Sequence, residues 1–201
     1  NTSVIEENIV RGQADFTLDD WEHVSREQHD TSWLYSSGRE GTGHEGIDAF
    51  IEKANSDGVQ IGVVGGALSA VFVLQFIDAA DIIDQTQIVS YSDAGQMRND
   101  VISGETDAAF GEIQEMAEQY EAGDINLILV GTPEPVGDFP DVTAAGERDW
   151  EAYFGVSRGT VAPAGTPQGA VEFWNGLIRA ALTTQARSEE RRVGKECIVK
   201  C

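Results

Sequence analysis

Few side chains in this sequence have the type and spacing that covalent chemistry needs. The three histidines, His23, His29 and His44, all lie early in the chain. The pair His44-Glu45 sits in a Gly-rich stretch and reads as a solvated loop, so no metal site is expected. No serine occupies a Gly-x-Ser-x-Gly elbow, and no lysine follows a Gly-rich loop to cradle phosphate. Gly62, Gly65 and Gly66 miss the dinucleotide spacing, and no cofactor is expected. Both cysteines, Cys197 and Cys201, are at the extreme C-terminus, which leaves the body without disulfides, thiolate ligands or a Cys nucleophile. Asp107 and Glu112 are the carboxylates a small enzyme could use as a base, if burial raised their pKa.

What remains is non-covalent recognition by backbone. Three turns carry Gly or Ser: Val64 to Ser69 (VGGALS), Tyr91 to Gly95 (YSDAG) and Phe110 to Glu112 (FGE). Glycine lets a ligand approach the main chain closely. A helix starting at such a turn offers unpaired N–H groups and the positive end of its dipole. That combination holds a carboxylate without Arg or Lys. The first turn contributes Gly65, Gly66, Ala67 and Ser69 as candidate ligand-binding residues. The other two contribute Ser92, Asp93, Gly95, Phe110 and Gly111, with Asp107 just upstream.

These turns need elements to position them. Val59–Val64 (VQIGVV), Gln87–Tyr91, Thr106–Phe110 and Ile125–Val130 (INLILV) read as buried strands. Helices are predicted at Gly46–Asn55, Ala67–Ala79, Ser92–Ser103 and from Gly111 through Tyr120. Asp93 and Gln96 have capping-box spacing, and Gly104 and Gly123 are natural stops. Strand, turn and helix in alternation predict an α/β fold, a parallel-rich sheet flanked by helices. Right-handed crossovers would bring every strand-to-helix turn to one edge, where ligands bind in open sheets. The first thirty residues read as a partial helix and a loop, Trp33–Ser36 as a short strand, and Val142–Ala145 as a short helix. Trp150–Val161 reads as an extended stretch. Thr166 and Pro167 are expected to open a last helix with Ala170, Phe173, Trp174, Leu177, Ile178 and Leu182 on its apolar face.

Composition narrows the partners. The 201 residues hold 35 acids and 13 Lys plus Arg, a net charge of -22. Such a chain is unsuited to nucleic acid or to anionic membrane surfaces, which need basic residues. No run of eighteen apolar residues predicts a membrane span. Up to Ala186 the sole lysine is Lys53, and the acids are spread over the whole body. Their mutual repulsion is largely screened at molar salt, where the Debye length is about 3 Å, so a halophilic origin is expected. Asn1 opens in mid-pattern without Met or a signal peptide, which suggests a fragment or a processed chain. The segment 187–201 (RSEERRVGKECIVKC) differs abruptly in composition and is expected to be an artefactual tail outside the fold.

Four segments resemble one family, the tripartite tricarboxylate transporter receptors, also called TctC or Bug extracytoplasmic solute-binding proteins. Tyr91–Phe110 (YSDAGQMRNDVISGETDAAF) is similar to that family's strand, Gly-containing turn, helix and G-G-x-V-D-x-x-F. Tyr153–Pro167 (YFGVSRGTVAPAGTP) resembles its W-F-G-x-x-A-P-A-G-T-P, and Pro140–Glu147 (PDVTAAGE) its P-D-V-P-T-x-x-E-x-G. VQIGVVGGALSA resembles its Y-G-S-A-G-x-G-S-x-x-H block, with Val63 in place of the serine and the histidine missing.

The resemblance implies a two-lobed binding protein of periplasmic type II architecture, with one lobe nearly complete. Residues 1–36 would be a remnant of lobe 1 with the first crossover, and 37–154 would be lobe 2. Residues 155–186 would be the second crossover and the return helix of lobe 1. It further implies a small organic acid ligand, permease subunits as partners, a hinge at Gly155 and Arg158, an extracytoplasmic location and no catalysis. The alternatives are an effector-binding lobe of a regulator and, more remotely, a small α/β enzyme.

The charge pattern yields a measurable expectation. Raising NaCl from about 0.1 M to about 2 M should raise the thermal midpoint, by roughly 2–4 °C per kcal/mol of repulsion removed. A midpoint that stays flat or falls in a salt titration contradicts the halophilic reading.

Overall fold

Alternating burial builds the sheet. Ala108 and Phe110 join one apolar cluster while Ala109, between them, joins the other. That period of two is the signature of a strand covered on both faces. The computed structural model describes residues 8–9, 12–41, 43–65, 67–153 and 155–183, with residues 67–69 described by backbone alone. Gly66 and the expected tail 187–201 therefore lie outside the described residues.

The elements are β1 (Trp21–Ser37), α1 (Ile47–Asp57), β2 (Val59–Val64), α2 (Ala67–Ala79), β3 (Thr86–Tyr91) and α3 (Ala94–Ser103). Then come β4 (Ala108–Glu112), α4 (Ile113–Glu121), β5 (Ile125–Val130), β6 (Gly155–Pro163) and α5 (Gln168–Leu182). The chain divides into two compact units, Asn1–Asp30 with Gly155–Cys201, and Thr31–Phe154. Trp33–Ser36, the end of the expected segment 1–36, falls within the second unit.

The second unit is a five-stranded sheet in the order β3-β2-β4-β1-β5. β2 pairs in parallel with β3 and β4, while β1 is antiparallel to both β4 and β5. The four strands expected from sequence therefore run in one direction, with a reversed strand inserted between the last two. Helices α1 and α2 cover one face, around Phe50, Phe76 and Ile61. Helices α3 and α4 cover the other, around Met97, Val101, Ile113 and Met116. A register shift between Leu34 and Tyr35 passes over Ile128 on β5. It puts both Ile128 and Leu129 in the first cluster, as a β-bulge does.

Local signals act as their chemistry dictates. The Asp93 carboxylate accepts the Gln96 N–H at 2.8 Å and caps α3. Gly104 ends that helix in the left-handed conformation, φ 81°. Gly62 lets α3 sit close, since a Cβ there would fall 2.9 Å from Met97 Cγ.

Several expectations are corrected. Residues 21–30, expected within a helix and loop, are strand, because β1 already starts at Trp21. In the polar first half of β1, Trp21 to Asp30, only Val24 and Asp30 are buried, so it offers no hydrophobic run to notice. Thr106 and Asp107 precede β4, which begins at Ala108. The short helix expected at Val142–Ala145 is a 3-10 turn at Ala145–Arg148. Pro167, not Thr166, is the cap of α5; the Thr166 hydroxyl donates back to Pro163 O.

The first unit consists of β6 against the first half of β1, with α5. Contacts of Gly155 with Asp30, Gly159 with Ser25 and Ala164 with Asp20 show that β6 runs antiparallel to β1. The Asn175 side chain donates to Val24 O and ties α5 to β1.

Two stability predictions follow from packing. Phe76 is fully buried and meets the rings of Phe50, Phe110 and Trp150. Phe76→Ala should cost about 3–5 kcal/mol in urea unfolding; a loss below ~1 kcal/mol would show that this cluster does not hold the sheet.

His44 is anchored by its backbone, since its N–H and C=O both bond Ser36 Oγ and its C=O also accepts from Asn126. Its ring packs edge-on to Phe50 at 5.2 Å, and Nε2 is buried without a hydrogen-bond partner. Burial lowers its pKa below the ordinary 6.5, against the pull of Asp107 and with the push of Lys53. The unfolded chain then binds more protons than the native one, so stability is lost as pH falls below about 6.5. His44→Gln should flatten the dependence of the urea midpoint between about pH 7.5 and 5.5; an equal slope in the variant would exclude His44 as its source.

Candidate functional site

The carboxyl ends of the four co-directional strands meet at one edge of the second unit. Val64 lies opposite Tyr91, and Gly65 N–H donates to Tyr91 O at 3.1 Å. Ile61 and Gly62 pair with Ala108 and Ala109, so β4 ends beside β2 at Gly111. Gly111 in turn faces Trp33, which faces Val130, and Gly131 N–H donates to Ser32 O at 3.1 Å. The turns after β2, β3, β4 and β5 thus line a single edge, with Ser32 of β1 between the last two.

The three helix starts at this edge differ in electrostatics. At α3 the Asp93 carboxylate already occupies the Gln96 N–H, and Gly95 makes room for it. At α4 the cap residue is Glu112 and Glu115 follows in the first turn. Both starts therefore carry negative charge, which opposes an anionic ligand. The start of α2 has no acid in its first turn. Gly65 before it is exposed, adopts φ 67°, and has open space where a Cβ would stand. Of the three turns treated alike in sequence, this one suits a carboxylate best. Ser92 and Asp93 are exposed beside it. Gly66 lies outside the described residues, and the side chains of Ala67 and Ser69 are not described.

Other candidates stand elsewhere. Asp107 is at the opposite, amino edge of the sheet, where its carboxylate accepts Gln60 N–H at 2.7 Å. Four residues of extended chain, about 13 Å, separate it from Gly111. That length of strand keeps it away from the turns with which sequence groups it. Phe110 turns into the core against Phe76, 5.7 Å between centroids, and is 8% exposed. Gly111 is a packing glycine as well, since a Cβ would lie 3.2 Å from the Tyr35 ring. Burial raises the Tyr35 phenol well above its ordinary pKa, so it stays protonated. Arg98 donates to Glu115 O at 2.5 Å and joins α3 to α4.

The amino edge also carries a groove of about 440 Å³, whose lining includes Asp57, Asp84, Glu105 and Asp107. Four carboxylates make it a poor anion site. Among the described residues no group of three or more His, Cys, Asp or Glu is placed to hold a metal ion.

In the first unit, the expected hinge residues are tightly engaged. A Cβ at Gly155 would collide with the His29 ring and with Asp30 O, at 2.5 and 2.9 Å. Arg158 bonds the Asp30 carboxylate, which is 1% exposed and also accepts from Gln28. His29 Nδ1 and Ser157 Oγ are 3.2 Å apart. The Asp30–Arg158 pair left no sequence signal, because its members are 128 residues apart.

No family model and no curated protein matches the sequence. Solved structures do match. A TctC solute-binding protein from Polaromonas superposes with TM-score 0.79 at 16% identity, over 95% of this chain and 66% of that one. MatC from Rhodopseudomonas palustris with bound malate gives 0.70 at 19%, over 90% of this chain and 62% of that one. An R. palustris protein with adipate gives 0.74 at 18%, over 89% and 60%. The chain thus spans 60–66% of the length of these proteins. No described helix is long and apolar enough to cross a membrane. At these identities the likeness establishes architecture: the chain has the α/β, periplasmic-binding-protein-like fold of TctC-type solute-binding proteins.

Proposed function

We propose that the whole protein is an extracytoplasmic receptor that captures a small di- or tricarboxylate for a tripartite tricarboxylate-type transporter. One observation carries this reading: the open glycine turn at Gly65, leading into a helix start free of acids, at an edge where four strands end. Fold neighbours that hold malate and adipate support the ligand class. In this reading the ligand carboxylate takes backbone N–H groups of the turn, with Ser92 beside them, and no reaction follows. Gly155 and Arg158 belong to a strand that flexes as the lobes close, and the permease subunits dock the closed form.

The test is thermal shift of the whole protein at about 2 M NaCl with malate, adipate, citrate and related acids. A ligand at about 100 times its Kd adds ~2.7 kcal/mol, hence roughly 5–10 °C at this size. Gly65→Asn keeps the left-handed turn, which Asn tolerates, but fills the space a ligand needs. It should cut the shift at least about fivefold without altering the unliganded midpoint. The reading fails if no acid in the panel moves the whole protein's midpoint, or if Gly65→Asn leaves the shift intact.

A further inference from the structure

One long side of the sheet in the second unit is open. β3 is its end strand, and among the described residues β2 is its sole strand partner. Gly65 N–H donates to Tyr91 O, so the main-chain groups of Tyr91 face β2. Those of successive strand residues point to opposite sides. Val89 therefore faces β2 as well, while Thr86, Ile88 and Ser90 face outward. Thr86 N–H is taken by Ile83 O. Among the described residues no backbone group meets the outward N–H and C=O of Ile88 and Ser90. The other end of the sheet is less bare, since Val130 N–H on β5 donates to Thr143 O and Val130 bridges to Ala144.

Free edges are ordinarily blunted by charge, proline or a bulge. β3 has none of these. Residues 85–92 (QTQIVSYS) carry no charge and no proline, and the register of β3 with β2 runs unbroken from Thr86 to Tyr91. Val71 and Leu74 of α2, which packs on β3, and Ile83 just before the strand are exposed apolar side chains.

The chemistry of the strip selects its occupant. A cationic partner would seek acids, and this stretch has none. A second copy fits. Across a two-fold axis at Val89, Ile88 of one copy faces Ser90 of the other, and the two pairs close four N–H···O=C bonds in an antiparallel ladder. The same register brings Asp84 of each copy near Asp93 of the other, so the pair needs salt to screen them. A ribbon this short covers less than the roughly 800 Å² per partner of a stable complex, which makes the dimer weak and reversible.

We propose that the outer side of β3 pairs antiparallel with β3 of a second copy at high salt, joining two sheets into one. The proposal rests on the strand edge and not on the proposed ligand.

Sedimentation of the whole protein without ligand, from about 10 μM to about 1 mM, tests it. At about 2 M NaCl a reversible dimer should form, and transfer to about 0.1 M NaCl should weaken it at least about tenfold. Ser90→Pro removes an outward N–H and spares the bonds to β2, as edge strands allow. It should weaken the dimer at least about tenfold, whereas Ser90→Ala should not. With Cys197→Ser and Cys201→Ser as background, Val89→Cys should give a disulfide dimer under mild oxidant, because facing residues of a non-hydrogen-bonded pair have Cα atoms about 4.5 Å apart. Gln87→Cys, facing Tyr91 of the other copy, should not. The cross-link is read in chains that keep Ser90, and decides alone should Ser90→Pro fail to fold. A protein that stays monomeric at about 1 mM in about 2 M NaCl overturns the proposal. So does a dimer that Ser90→Pro leaves intact, or one that position 89 does not cross-link.

Discussion

The parallel pairing of β2 with both β3 and β4 is the constraint on which the rest depends. With Val64 opposite Tyr91, and Gly62 opposite Ala109, three strands end level with one another. Their turns then share an edge whatever the side chains there are. Glycine at position 62 leaves room for α3 over these strands, because a Cβ there would stand 2.9 Å from Met97 Cγ and force that side chain to shift. Reversed β1, buried between β4 and β5, then aligns the end of β5 at the same edge. Without β1 the fourth turn would have no partner to fix its level.

That geometry answers how so acidic a chain could hold an anion. With a net charge of -22, it has few cations to offer. Three of them are spent on structure: Arg98 on Glu115 O, Arg158 on Asp30 and Arg148 on Asp48. Backbone N–H groups carry no net charge and cannot be lost to an ion pair. Their effect is local, within a helix turn, and it survives where screening removes longer-range repulsion. The distribution of acids matters more than their number. Asp93 caps α3 and Glu112 precedes α4, whereas of the three helices that start at this edge α2 has no acid in its first turn.

Sequence periodicity revealed what is locally encoded. The run Val59–Val64 and the helix Ala67–Ala79 stand where their apolar pattern and Gly65 place them. Asp93 and Gly104 mark α3 because capping chemistry acts over three or four residues. Long-range choices were not legible. The polar half of β1 is extended because β6 pairs with it, and that partner lies more than a hundred residues on. Asp107 looked like part of the Phe110–Glu112 turn from its closeness in sequence, but four extended residues carry it to the other end of the strand, onto Gln60 N–H. Phe110 looked like a ligand contact because nothing local says which way alternate strand residues point. Phe76, arriving from α2, decided it.

The two sheet edges differ as a consequence. At the amino edge, Asp57, Asp84, Glu105 and Asp107 gather around a groove, and only Asp57 has an ion-pair partner, Lys53, among the described bridges. Strand starts follow helix ends, whose dipoles are negative, so acids there meet a like field. Tolerating that arrangement costs stability in dilute buffer and little in concentrated salt. The same salt would weaken an exposed Lys or Arg contact to a ligand far more than a set of oriented amides. The acid-free start of α2 is where oriented amides and the sheet topology coincide.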